Sequence, residues 1–160
     1  MGEEIIKTLI SVITSTFVSS LVTMKINKIN RKNILLNELH NLMKYSMDYP
    51  LLENDYFTNQ YNEISKFLDD YNSKEVYSYP VEIINRYNQY EIYCEMIFNY
   101  IEKICKYYKY KEDKISDFLD IYGWIKRHKQ YWFNDKNYKE SLNGYGNKFV
   151  LYIDNIYKNK

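Results

Sequence analysis

Few side chains in this sequence can do covalent or metal chemistry. His40 and His128 are the only histidines, and Cys94 and Cys105 the only cysteines. A helical zinc or di-iron site needs ligands at i, i+3 or i+4, in patterns such as Glu-x-x-His. No such pattern occurs, so neither a metal nor another cofactor is expected. Glu91 and Glu95 lie one helical turn apart, with Glu102 further along, and a solvated helix face accounts for all three. Cys94 and His128 offer a nucleophile and a base. Cys94, however, falls among regularly spaced apolar residues, where burial disfavours the thiolate. His128 stands close to Tyr131 and Trp132 and reads as a packing histidine. The glycines supply no phosphate loop, because Gly144-Tyr145-Gly146 lacks the rest of that pattern and any preceding strand. The residues therefore predict a protein that is not an enzyme.

Binding chemistry is equally sparse. Lys103, Lys106, Lys109, Lys111 and Lys114 alternate with Tyr107, Tyr108 and Tyr110, a mixture that can stack and neutralise single-stranded nucleic acid. Lysines also suit a helix C-terminus, and the net charge of +1 gives no bulk attraction to polyanions. No nucleic-acid partner is expected. Twenty tyrosines, no alanine and only three arginines mark a skewed composition, in keeping with AT-rich coding. No single Tyr or Lys is a functional sign against that background.

The elements that must position these groups are helices. Residues 8–24, TLISVITSTFVSSLVTM, carry no charge and make about 25 Å of helix, the short end of what spans a bilayer. Lys25, Lys28, Arg31 and Lys32 follow, suited to anionic lipid headgroups. They place the remainder of the chain in the cytoplasm by the excess of positive charge on that side. The acidic start and the lack of a small-residue cleavage site argue against a secretory signal. Eight of the seventeen residues are Ser or Thr, which keeps a soluble oligomerisation helix as the rival. The expected organisation is an anchor with its basic flank over residues 1–30 and a cytoplasmic helical domain over 31–160.

Leu35, Leu39, Leu42 and Met43 continue the helical spacing until Pro50, so the first helix is expected to stop near Met47. A second helix places Phe57, Tyr61, Ile64, Phe67, Leu68 and Tyr71 on one face and ends at Asn72-Ser73-Lys74. Pro80 suits the start of a third helix, where Tyr87, Tyr90, Cys94, Ile97, Ile101, Ile104 and Tyr108 recur every three or four residues. Asp113 is a candidate cap for a fourth, with Ile115, Phe118, Leu119, Tyr122, Ile125 and Trp132 inward. A fifth runs from about Asn137 with Tyr138, Leu142, Tyr145, Phe149, Tyr152 and Ile156 inward. Gly144 and Gly146 read as a kink within it. The fold class is all-α: an up-and-down bundle of about four helices after a long N-terminal helix that forms a single transmembrane anchor. Cys94 and Cys105, about 16 Å apart along one helix, are expected as buried free thiols.

Asp48-Tyr49-Pro50-Leu51-Leu52-Glu53 after an anchor, Tyr93-Cys94 with Phe98-Asn99, and His128 before Tyr131-Trp132 together resemble a loose group of small uncharacterised bacterial proteins. The resemblance implies one N-terminal membrane helix in the cell inner membrane and a cytoplasmic helical domain, with bacterial immunity or another accessory role by analogy. It implies no activity. On the residues themselves, Ser11, Ser15 and Ser19 at four-residue spacing let neighbouring anchors approach closely. With Ile10 and Phe17 they make the expected membrane and oligomer face. The partners expected are the lipid bilayer, further copies of the chain and an unidentified protein. The rival from another class is a small-ligand sensor with a pocket around Tyr122, Trp124 and Trp132.

Overall fold

A computed structural model describes residues 2–72 and 81–158. All regular structure among them is helical. The order is α1 (Gly2–Asp48), a 3₁₀ turn (Pro50–Glu53), α2 (Asp55–Asn59), α3 (Tyr61–Asn72), α4 (Val81–Tyr107), α5 (Glu112–Phe118), α6 (Ile121–Arg127), α7 (Lys129–Trp132), α8 (Asp135–Gly144) and α9 (Asn147–Lys158). The protein is all-α, with a long N-terminal helix followed by shorter ones. It divides into two compact units, Met1–Glu38 and Leu39–Lys160.

The first unit is a single helix; residues 2–34 are all exposed, and Leu35 is buried. No proline or glycine interrupts it, and its hydroxyls do not compete with the helix. Thr8, Thr14, Thr16 and Thr23 donate to the carbonyls four residues back at 2.7–2.9 Å, and Ser15 donates to Val12 O at 3.0 Å. Polar side chains folded back in this way can sit in an apolar surrounding. The helix ends at Asp48 because the residue before Pro50 must leave helical space. Tyr49 does so, at φ −131° and ψ 67°.

The second unit is built around α4. Tyr87, Tyr90, Cys94, Ile97, Ile101 and Ile104 are all buried, as their spacing requires, while Tyr108, expected with them, lies past the end of α4 and is half-buried. Tyr93, Phe98, Tyr100 and Cys105 are buried too, so α4 is covered on more than one side. Helices α3 and α6 pack on it, α6 meets α7 and α9, and α8 meets α7 and α9. Trp132 fills the centre of this aromatic interior with no exposure. Phe98, Tyr145 and Phe149 lie 4.7, 5.7 and 6.0 Å from its ring.

Three of the expected helices are shorter than the spacing suggested. The second is divided into α2 and α3, after the 3₁₀ turn; the side chains of Phe57, Phe67, Leu68 and Tyr71, and the start at Pro80, lie outside the described residues. The fourth begins at Glu112 and leaves Asp113 uncapping inside its first turn. It breaks where Leu119 becomes extended, and Asp120 caps α6 by accepting from Tyr122 N–H at 3.0 Å. In the fifth, Gly144 and Gly146 mark a boundary between α8 and α9 rather than a kink. The break resets the helical phase, so Leu142 is 45% exposed instead of inward.

The end of α4 closes without glycine. Tyr110 N–H donates to Cys105 O at 2.8 Å, the reach of a left-handed helix cap. Lys109 and Tyr110 adopt φ of 54° and 59° to make it, a backbone that costs L-residues about 1–2 kcal/mol each.

Candidate functional site

Two features stand out from ordinary packing, one in each unit. In the first, Ser11, Ser15 and Ser19 share one side of α1, each step of four residues turning about 40°. Ile10 and Phe17 lie together on a different side, so the five expected face residues occupy two faces, all exposed. Lys25, Lys28, Arg31 and Lys32 are exposed beyond them. The helix is long and apolar enough to cross a membrane.

The second feature is a polar node inside the Leu39–Lys160 unit. The 3₁₀ turn brings Glu53 to the end of α6. One carboxylate oxygen of Glu53 accepts from the Tyr93 hydroxyl at 2.5 Å, and the other meets the Arg127 guanidinium. Arg127 also reaches Asp55 at 3.3 Å. His128, fully buried, sits at the α6–α7 junction with Nε2 3.6 Å from Glu53 Oε1. That distance exceeds a good hydrogen bond, so the attraction is one of charge for the ring N–H. The other ring nitrogen, Nδ1, lies 2.8 Å from the Tyr90 hydroxyl and 3.6 Å from Cys94 Sγ. The arrangement fits a tautomer in which Tyr90 donates to Nδ1 and Nε2–H faces the carboxylate. Partial burial alone would raise the Glu53 carboxyl; His128, Tyr93 and Arg127 outweigh it and hold it at about 2.

Cys94, His128 and Glu53 thus stand in the order nucleophile, base, orienting carboxylate. Their environment opposes that use. Cys94 and His128 have no exposed surface, and burial pushes the Cys94 thiol well above its ordinary range. The Tyr90 hydroxyl occupies the nitrogen that would have to take the thiol proton. What the node does in this geometry is tie four segments together: the 3₁₀ turn, α2, α4 and the α6–α7 junction. Among the described residues, no three His, Cys, Asp or Glu side chains gather as a metal site.

The acidic residues of α4 divide. Glu95 is exposed, as a solvated face requires. Glu91 accepts from the Tyr61 hydroxyl at 2.8 Å. Glu102 holds Lys106 and the Gly146 backbone N–H, at 2.8 and 3.1 Å. Tyr61 also takes Asn137 Nδ2 at 2.8 Å, while the Tyr87 hydroxyl lies 3.0 Å from Ser65 Oγ and 3.1 Å from Tyr61. Sequence reading missed Glu53 and Arg127, although Glu53 closes the quoted Asp48–Glu53 segment and Arg127 precedes His128. An acid and a base 74 positions apart give no spacing signal. No family model matches the chain, and comparison with curated proteins and with solved structures finds no match.

Proposed function

We propose that this protein is a non-enzymatic, membrane-anchored helical module that associates with copies of itself. Residues 8–24 insert as a single pass, the helical domain lies in the cytoplasm at the bacterial inner membrane, and Ser11, Ser15 and Ser19 let anchors pack closely. Lys25, Lys28, Arg31 and Lys32 meet headgroup phosphates. Clustering of the domain, or its capture of a protein partner, would then act at the bilayer.

One observation carries this reading. The large apolar side chains from Ile5 to Met24 are each between 50% and 68% exposed, on a helix 47 residues long. An apolar surface of that extent requires a cover. The rival soluble helix draws on the Ser and Thr content, but four of the threonines and Ser15 already bond within the helix, which lowers their cost in lipid. The node supports the non-enzymatic part, because its groups are spent on one another and its Cys94 and His128 are buried.

Fractionation of the full-length chain tests the proposal. It should pellet with membranes and resist carbonate, and its C-terminus should be protected from external protease in intact cells. Val12→Lys with Phe17→Lys should release it, since each central charge costs about 3 kcal/mol of insertion. A wild-type chain that stays soluble without detergent overturns the anchor.

A further inference from the structure

The first unit carries a second regularity. Ile5, Thr8, Val12, Ser15, Ser19, Val22, Ile26, Ile29, Asn33 and Leu36 alternate by three and four residues without a slip. All ten are exposed. Up to Met24 the helix is apolar all round, so the pattern there has no special weight. Past Lys25 it does, because Lys25, Asn27, Lys28, Asn30, Arg31 and Lys32 take the other positions up to Asn33; Ile34 and Leu35 are apolar off-seam residues, of which Leu35 is buried and Ile34 exposed. Val22, Ile26 and Ile29 keep 51% of their surface exposed and Leu36 43%. A 3.5-residue repeat of this kind is the seam of a left-handed coiled coil.

We propose that Val22, Ile26, Ile29, Asn33 and Leu36 form the seam of a parallel, in-register, two-stranded coiled coil between two copies of this chain. The seam continues the Ser15 and Ser19 side of the anchor into the cytoplasm. It deepens the membrane reading and takes one element from it, since two anchors inserted in the same sense are parallel and begin at the same depth.

Two further observations name a second copy as the occupant. The first is charge. In the repeat with Ile26 and Asn33 at a, the positions flanking the seam are Lys25 and Lys32 at g, and Asn30 and Asn37 at e. Parallel strands set g against e of the neighbour, so each lysine meets an asparagine. Antiparallel strands set g against g, lysine against lysine, which repels. The second is Asn33. A lone asparagine at a is poorly buried against an apolar partner, but two copies in register satisfy each other's amide donors and acceptors, and this pairing selects two strands. From Val22 to Leu36 the seam is about 21 Å long, and together with the anchor side back to Ile5 the two helices would run alongside for about 46 Å, enough for an interface on the order of 1,200 Å² across two copies.

Single cysteines placed along residues 22–36 of the full-length chain in proteoliposomes test the seam. Cys94 and Cys105 are buried and leave the background low. Oxidative crosslinking to a dimer should peak at 22, 26, 29, 33 and 36 and fall at 28, 31 and 34. Ile29→Lys should abolish crosslinking at 36, and Asn33→Leu should convert the dimer seen by native mass spectrometry in detergent into a mixture with higher oligomers. A flat profile, a peak on the 28–31 side, or a wild-type trimer overturns the proposal. Carbonate extraction of the same samples reports the anchor separately: a chain that remains in the membrane with a flat profile has lost only the seam. A chain that extracts and still crosslinks at 26, 29 and 33 has lost only the anchor.

Discussion

Glu53→Gln isolates what the Glu53–Arg127–His128 node contributes. The carboxylate is ordinarily at 4.5 and is held at about 2, a difference worth about 3 kcal/mol in full. The Glu53 side chain is 20% exposed and that of Arg127 39%, so solvent screens part of it. Gln keeps an acceptor for Tyr93 but gives up the charge facing Arg127 and His128, and a loss of about 2 kcal/mol at pH 7 follows. The folded carboxyl is depressed, so its contribution is complete above pH 4.5 and disappears as pH falls through about 2. The gap between wild type and Glu53→Gln should therefore be constant from pH 7 to pH 5, narrow below 4.5 and close near pH 2. Urea unfolding of the full chain in mild detergent reads this through tryptophan fluorescence, because Trp124 and Trp132 both lie in the helical domain. Other carboxylates titrate over the same range, but they titrate in both proteins and cancel in the difference. Equal stability at pH 7, or a gap that ignores pH, would refute the reasoning. A cycle with Arg127→Gln should show coupling of about 1 kcal/mol, since the two groups share one contact.

Three further outcomes follow from the same geometry. Lys109→Gly removes the side chain from a left-handed position and should stabilise the domain by about 0.5–1 kcal/mol, net of glycine's entropy, visible as a higher midpoint in urea; destabilisation would mean the Lys109 side chain does more than occupy the cap. Trp132→Phe takes away the indole N–H that donates to Asp154 at 3.1 Å and opens space in the core, at a cost of about 3 kcal/mol by the same unfolding assay. Cys94 and Cys105 should resist alkylation in the native protein and react only at the rate of unfolding; fast modification of native Cys94 would restore the nucleophile reading.

The fold was legible where burial is continuous and regular. The spacing from Tyr87 to Ile104 located α4 because every third or fourth residue meets a neighbour there, and Pro50 located the end of α1 because it constrains Tyr49 through sterics alone. Breaks set by single side chains were not legible. Leu119 turns extended to end one helix and Asp120 caps the next, yet both stand among residues whose apolar spacing runs straight across the break. Gly144 and Gly146 gave a signal whose meaning, kink or boundary, is decided by Glu102 on a distant helix accepting from Gly146 N–H.

The tyrosine count explains why the node stayed hidden. Discounting each tyrosine as coding bias is sound for function and misleading for the core, because a buried phenol must place its hydroxyl. Tyr61, Tyr90 and Tyr93 do so on Glu91, His128 and Glu53, and Tyr138 and Tyr157 on Asp154 and the Ile125 carbonyl. A core rich in tyrosine therefore recruits acids and a histidine from elsewhere in the sequence, and these polar groups resemble an active site without being open to a substrate. Accessibility separates the two cases: the Cys94–His128 pair has the residue types of catalysis and no surface, whereas residues 2–34 of α1 hold no histidine or cysteine and are exposed throughout. Any partner of this chain is for that reason expected first at the N-terminal helix.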